Sequence, residues 1–212
     1  MSETDLNVTA HEVPRRADFV RRRLRAIDAF IDLVLEGDPT PTPETVAERA
    51  GVSRASVFRY FESLDVLRAE TTGRVLERFV DLFELGEPSA VSPADRAADF
   101  VDSRLRFHET LHPLGLLQRR HGADPDAAAT IDLGRTLLAD QVRAYFERDL
   151  EPLDDEHRED VVTTIAALTS IESWQQSSHS HGRTSAQTRR AWISAITAVI
   201  AGAGSSTGRN LS

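Results

Sequence analysis

Apolar residues recur along this chain at spacings of three and four from Phe19 to Ile200, and no segment keeps the period-two alternation of β-branched residues that marks a strand. The pattern predicts an all-α protein, with helices over 15–36, 43–50, 54–61, 63–85, 93–111, a short one at 113–121, then 125–149, 155–180 and 185–202. The breaks fall on turn-forming residues: Gly37-Asp38-Pro39, Gly86-Glu87-Pro88, His112-Pro113, Gly122-Ala123-Asp124-Pro125, Pro152 and Gly182. Residues 1–13 and 204–212 lack an apolar face, and the second stretch is rich in Gly and Ser, so both are expected to be disordered. The segment 63–85 reads as one long helix with Val66, Leu67, Val75, Leu76, Phe79, Val80, Leu82 and Phe83 on its apolar side, either a plain packing helix or a link that carries a displacement. There is no internal repeat.

The most informative pattern lies between Thr42 and Phe61. Thr42 is placed to cap a helix that carries Pro43 at its first position, where the missing N–H costs nothing. Gly51 is suited to the left-handed conformation that ends a helix, Val52 to filling the angle that follows, and Ser53 to capping the next helix. On that second helix Val57 and Phe61, four apart, share one face. Arg54, Ala55, Ser56, Phe58 and Arg59 are left towards solvent or a ligand. Two short helices joined by such a turn form a helix-turn-helix, and a second helix with an exposed polar edge fits the DNA major groove.

These residues resemble the TetR/AcrR family of transcriptional regulators. Leu24, Ile27, Ile31 and Val34 with Gly37 are similar to that family's first helix. Thr42 to Phe61, with the Ala-Gly-Val-Ser turn and the aromatic-x-aromatic-Phe ending, are similar to its second and third, and Ser63-Leu64-Asp65-Val66-Leu67 to the start of its fourth. The specific part runs from about Arg15 to Glu70; Leu168 to Ile200, with Glu172, Trp174 and Trp192 around the Gly182 turn, resembles the family's last helix pair. The resemblance implies a DNA-binding head at 14–62 and a helical ligand-binding and dimerisation domain at 63–203. It implies a surface of Thr42, Ser53, Arg54, Ala55, Ser56, Phe58, Arg59 and Tyr60 that meets double-stranded DNA. Arg54 and Arg59 would read base edges, and Thr42, Ser53, Ser56 and Tyr60 would hold the backbone. Two positions depart from the family's pattern: Phe58 stands where a tyrosine is usual and Leu64 where a lysine is usual, and both polar groups commonly touch phosphate.

The net charge of −9 argues against a nucleic-acid partner until its distribution is considered. Pro14 to Phe61 holds nine arginines against seven acids, residues 62–212 sixteen against twenty-four, and residues 1–13 three acids. The head alone is positive, and the local field governs DNA approach. There is no lysine; arginine supplies every fixed cation, a side chain suited to phosphate and guanine edges. Arg15, Arg16, Arg21, Arg22, Arg23 and Arg25 form either a solvated helix start or a phosphate-contacting cluster. The absence of cysteine excludes a disulfide framework and accords with a reducing, cytoplasmic setting. Met1 to Asp5 has neither a basic nor an apolar region, which predicts no signal peptide, and the apolar stretch near 195–203 is too short to span a bilayer.

Candidate chemistry is sparse. His108 and His112 are one turn apart and His179 and His181 flank a turn, but without cysteine or convergent carboxylates they are expected to bind no metal. No nucleophile elbow, phosphate loop or dinucleotide fingerprint is present, so neither enzyme activity nor a cofactor is expected. Phe107, His108, Leu111, Leu117, Gln118, Tyr145, Trp174 and Gln175 line either plain core or a small-molecule pocket between helices; the resemblance favours the pocket. Ile171, Trp192, Ile193, Ile196 and Ile200 give the last two helices broad apolar faces, predicted to meet a second copy in a four-helix interface. The sequence thus predicts a homodimeric regulator, a repressor released from DNA by an effector. Its rival is a helical small-molecule-binding protein with weakened or absent DNA binding.

Overall fold

In the computed structural model of the chain, backbone is described for residues 4–86, 88, 92–120 and 125–207, and side-chain surroundings for 16–86, 88, 92–117, 128–129 and 132–204. The described residues are helices and short connections without a strand, the all-α class that the spacing predicts. They divide into two compact units, Met1–Phe79 and Val80–Ser212.

The first unit holds α1 (Thr4–Leu35), α2 (Pro43–Ala50), α3 (Arg54–Tyr60) and α4 (Leu64–Arg78). Ala26, Ile27, Phe30, Ile31 and Val34 form the buried stripe of α1, against which Val46, Ala47, Val57, Phe61 and Leu67 are buried. Helix α1 begins at Thr4, whereas the sequence pattern leaves 1–13 disordered. An amphipathic stripe signals packing, yet once a packed stretch has nucleated a helix, each further turn needs only propagation. The unit boundary also differs from 62/63. Helix α4 buries Leu67 and Thr71, and its Arg74 and Arg78 pair with Asp28 and Asp32 of α1, so it belongs with the head.

The expected 63–85 helix breaks at Phe79, whose φ of −115° and ψ of 29° leave helical geometry; α5 (Val80–Phe83) follows. Its expected apolar side is not continuous, because Val66, Leu76 and Val80 are exposed. The second unit continues with α6 (Pro93–Arg120), α7 (Pro125–Tyr145), α8 (Glu147–Leu150), α9 (Asp155–Leu168), α10 (Ile171–Gln175), a π-helical turn (Gln176–Ser180) and α11 (Ser185–Thr207). The break expected at His112-Pro113 is absent: Pro113 lies inside α6. An interior proline costs about 3 kcal/mol, but Leu111, Leu114 and Leu117 are buried on both sides of it, each worth about 1.5–3 kcal/mol. Conversely, the expected 155–180 helix stops at Thr169, because Ser170 starts a new one by accepting from the Ser173 N–H. Helix α11 extends to Thr207, beyond the expected end; residues 208–212 of the expected disordered tail lie outside the described residues.

The core of this unit gathers Ala97, Phe100, Val101 and Leu105 of α6, Val142 and Tyr145 of α7, Val161, Val162 and Ile165 of α9, and Trp192 and Ile196 of α11.

Candidate functional site

The turn between α2 and α3 is built by three caps. Thr42 accepts from the Thr45 N–H while the Thr45 hydroxyl accepts from the Thr42 N–H, a reciprocal capping box at the start of α2. Gly51, at φ 65° and ψ 40°, ends α2 in the left-handed conformation, and the Val52 N–H returns to the Ala47 carbonyl at 3.0 Å. Ser53 then accepts from the Ser56 N–H at 3.1 Å. The turn signals in the sequence thus act through the bonds their residue types predict.

Helix α3 buries Val57 and exposes Arg54, Ala55, Phe58 and Arg59, with Ser56 half-buried. Arg54 packs over the Phe58 ring, 5.5 Å from its centroid, and pairs through Nε with Glu44 of α2 at 2.6 Å. The Arg59 guanidinium lies 3.4 Å from the Ser56 hydroxyl, with no carboxylate partner among the described residues. Of the eight expected DNA-facing residues, Tyr60 does not belong. It is buried, with its ring edge-on to Phe19 at 5.1 Å and to Phe61 at 6.3 Å. The reason is helical spacing, since Tyr60 sits three residues after Val57 and therefore shares its buried face.

Three of the six arginines in the α1 cluster are paired within the unit, sharing two carboxylates. Arg21 and Arg22 pair with Asp18, and Arg23 pairs with Glu70 while lying over the Phe61 ring. Arg49 is bound through both terminal nitrogens to Glu36, holding that carboxyl below its usual range. Arg16 and Arg25 are exposed and have no ion pair among the described residues; the Arg15 side chain lies outside them.

In the second unit, His108 is fully buried, its Nε2 2.8 Å from the Thr169 carbonyl, which fixes Nε2–H as donor when the ring is neutral. Phe107, Trp174 and Trp192 surround it at centroid distances of 5.3, 6.1 and 6.2 Å. Leu111 and Leu117 are buried on the same helix, and Gln175 is half-buried beside Trp174 in sequence. Tyr145 instead packs on Phe100 and Phe146, and burial raises its phenol pKa. The Gln118 side chain lies outside the described residues. His112 and His179 lie with tilted rings 6.0 Å apart beside Trp174, but no group of three metal-ligating side chains occurs among the described residues.

Two residues assigned by sequence to an interface between copies are interior. Trp192 is 2% and Ile196 0% exposed, both packed in the core of their own chain, while Ile171, Ile193 and Ile200 are half-buried against it. A helix hydrophobic on most sides fills a core as readily as an interface, so the breadth of the face does not separate the two.

Arg104 is a functional candidate that helical spacing alone does not single out. It stands in the row Phe100, Arg104, His108, each one turn from the next, and is 3% exposed. Its Nη1 donates to Gln141 Oε1 at 2.9 Å and its Nη2 to the Leu138 carbonyl at 3.2 Å. The available signal was a cation inside an otherwise apolar row of α6. A separate open groove of about 530 Å³, on the outside of α7 and α8, is lined by charges of both signs, among them Asp140, Arg143, Glu147 and Arg158.

No protein-family profile matches the chain, and no curated protein matches it by sequence. Two solved structures do match in fold. A tetR-family transcriptional regulator from Streptomyces coelicolor superposes with a TM-score of 0.69 at 20% identity, over 89% of this chain and 86% of that one. A transcriptional regulator from Rhodococcus sp. Rha1 superposes at 0.64 with 15% identity, over 86% of this chain and 97% of that one. The helix-turn-helix unit followed by a helical unit is therefore the all-α fold that the Streptomyces TetR-family regulator also has.

Proposed function

We propose that the chain is a cytoplasmic DNA-binding transcriptional regulator, a repressor that binds a pseudo-palindromic operator as a homodimer and is released by a small-molecule effector. The observation that carries this reading is the capped helix-turn-helix, with Arg54, Ala55, Phe58 and Arg59 exposed along the edge of α3. In such a unit the second helix enters the major groove, Arg54 and Arg59 read base edges, and Thr42, Ser53 and Ser56 position the backbone. A two-fold pair of these units reads two half-sites one helical turn apart. An effector in the helical unit acts only through different affinities for the DNA-bound and free states.

Fluorescence anisotropy on fragments of the gene's own upstream region, across a salt series, tests the reading. Saturable, sequence-selective binding whose affinity falls with salt is expected. Absence of binding at low salt removes it and favours the rival, a helical ligand-binding protein without DNA affinity. The pairing of Arg54 with Glu44 and the missing hydroxyl at Phe58 are the features on that rival's side.

A further inference from the structure

Helix α6 carries two buried arginines, and they are treated differently. Arg96 is bound in a two-pronged pair to Asp149, both side chains only 6% exposed, as a buried structural cation should be. Arg104, two turns further on, has no carboxylate among the described residues. Its neighbours are the Gln141 amide oxygen, the Leu138 carbonyl and the face of Phe100, 4.8 Å from ring centroid to guanidinium carbon. Its Nε is buried and meets no acceptor among the described residues. Neutral dipoles and a ring compensate a desolvated charge poorly, and burial alone drives the Arg104 pKa down to about 10.

Gln141 is held by donating its amide N–H to the Phe83 carbonyl, which aims its oxygen at Arg104. On α7, Leu133 and Leu137 precede Gln141 by two turns and one turn in the same i, i+4 row, and they are 55% and 42% exposed. The row thus runs from exposed apolar surface to a buried cation that only neutral groups surround. That is the polarity of an amphipathic acid: an apolar skeleton at one end, a carboxylate at the other.

We propose that Arg104 is the anchor of a ligand site between α6 and α7 for an amphipathic organic carboxylate, whose charged group replaces the Gln141 oxygen on the guanidinium while its apolar part lies along Leu137 and Leu133. The site deepens the effector reading above by naming the ligand's chemical class, and its role as an effector site rests on that reading. A carboxylate in that place accepts two parallel N–H bonds from the Nη1 and Nη2 end of the guanidinium, where Gln141 now offers one neutral oxygen, and it supplies the countercharge that Arg104 lacks.

The test titrates the full chain with octanoate and 2-naphthoate against their uncharged amides, octanamide and 2-naphthamide, by calorimetry and by Trp fluorescence. Each carboxylate is expected to bind at least tenfold tighter than its amide. Arg104→Met is expected to lose that preference without lowering the apo melting temperature, because it removes a buried, unpaired charge. Gln141→Glu gives a second route: the fixed carboxylate occupies Arg104, so the melting temperature rises and carboxylate binding disappears. The proposal is overturned if neither carboxylate outbinds its amide, or if both variants bind octanoate as the wild type does. DNA release is read separately with the same probes. Binding without release keeps the site and removes its effector role, while loss of DNA binding in the absence of any probe bears on the helix-turn-helix alone.

Discussion

Glu44 of α2 holds Arg54 of α3 through an ion pair of 2.6 Å, across the turn that sets the angle between the two helices. Both side chains are more than half exposed, at 64% for Arg54 and 54% for Glu44, so the pair adds little stability. Its consequence is for binding. A guanidinium that is to meet a guanine edge or a phosphate must first leave Glu44, and the carboxylate then sits near DNA as a repelling charge. Glu44→Gln is therefore expected to tighten binding by roughly two- to fivefold, the equivalent of about 0.4–1 kcal/mol for an exposed pair. Anisotropy titrations at fixed salt measure it, and weaker binding by the variant shows instead that Glu44 orients Arg54 productively.

The burial of Tyr60 changes what its substitution should do. Tyr60→Phe keeps the ring against Phe19 and should leave DNA affinity within about twofold, whereas Tyr60→Ala empties a packed position and should cost about 3 kcal/mol or more in urea unfolding. Leu64, at the first turn of α4, is half-exposed. Leu64→Lys should restore a phosphate contact and steepen the slope of log affinity against log salt by about 0.9. A slope equal to that of the wild type removes Leu64 as a phosphate position. Arg59→Ala should cost about 1–3 kcal/mol and relax preference at one base pair per half-site.

Gly51 joins the two helices at φ 65°, and a Cβ built there meets nothing within 4 Å. Gly51→Ala therefore introduces backbone strain and no clash, and the expected loss is about 1–2 kcal/mol by thermal or urea unfolding. Gly51→Asn, a residue that tolerates the left-handed region, should recover part of it. Equal stability of the three proteins removes the claim that this conformation is what selects glycine here.

The head was legible because its elements are specified locally. Thr42, Gly51 and Ser53 act through bonds to residues three or four positions away, so their types and order are enough to place α2, the turn and α3. What the sequence misplaced depends on distant partners. Tyr60 turns inward because Phe19, forty-one positions earlier, receives its ring, and α4 joins the head because Asp28 and Asp32 receive its arginines. Pro113 reads as a stop until the buried Leu111 before it and Leu114 and Leu117 after it are known. The second unit was legible as helices but not as a site. Arg104 looks like one arginine among twenty-five until the structure surrounds it with Gln141, Leu138 and Phe100 in place of a carboxylate.

For the proposed dimer, interior and surface positions on α11 predict opposite results. Ile196 is in the core of its own chain, so Ile196→Glu buries a charge without a partner and should unfold the helical unit, at a cost above about 4 kcal/mol. Among the residues that α11 leaves exposed are the small Ala191, Ser194 and Ala198, with Arg190 exposed one turn before Ser194, and α9 leaves Thr163, Thr164 and Ala167 exposed. Small side chains let helices approach closely, and a two-fold axis there would bring each residue near its own copy. Ala198→Glu should then place like charges against each other, shift the sedimentation mass from twice the chain mass to 23.5 kDa, and leave the helical content unchanged. Operator affinity should fall with it, since a monomer holds one half-site. A wild-type protein that sediments at 23.5 kDa at micromolar concentration removes the dimer, and an Ala198→Glu protein that stays dimeric places the interface on another face.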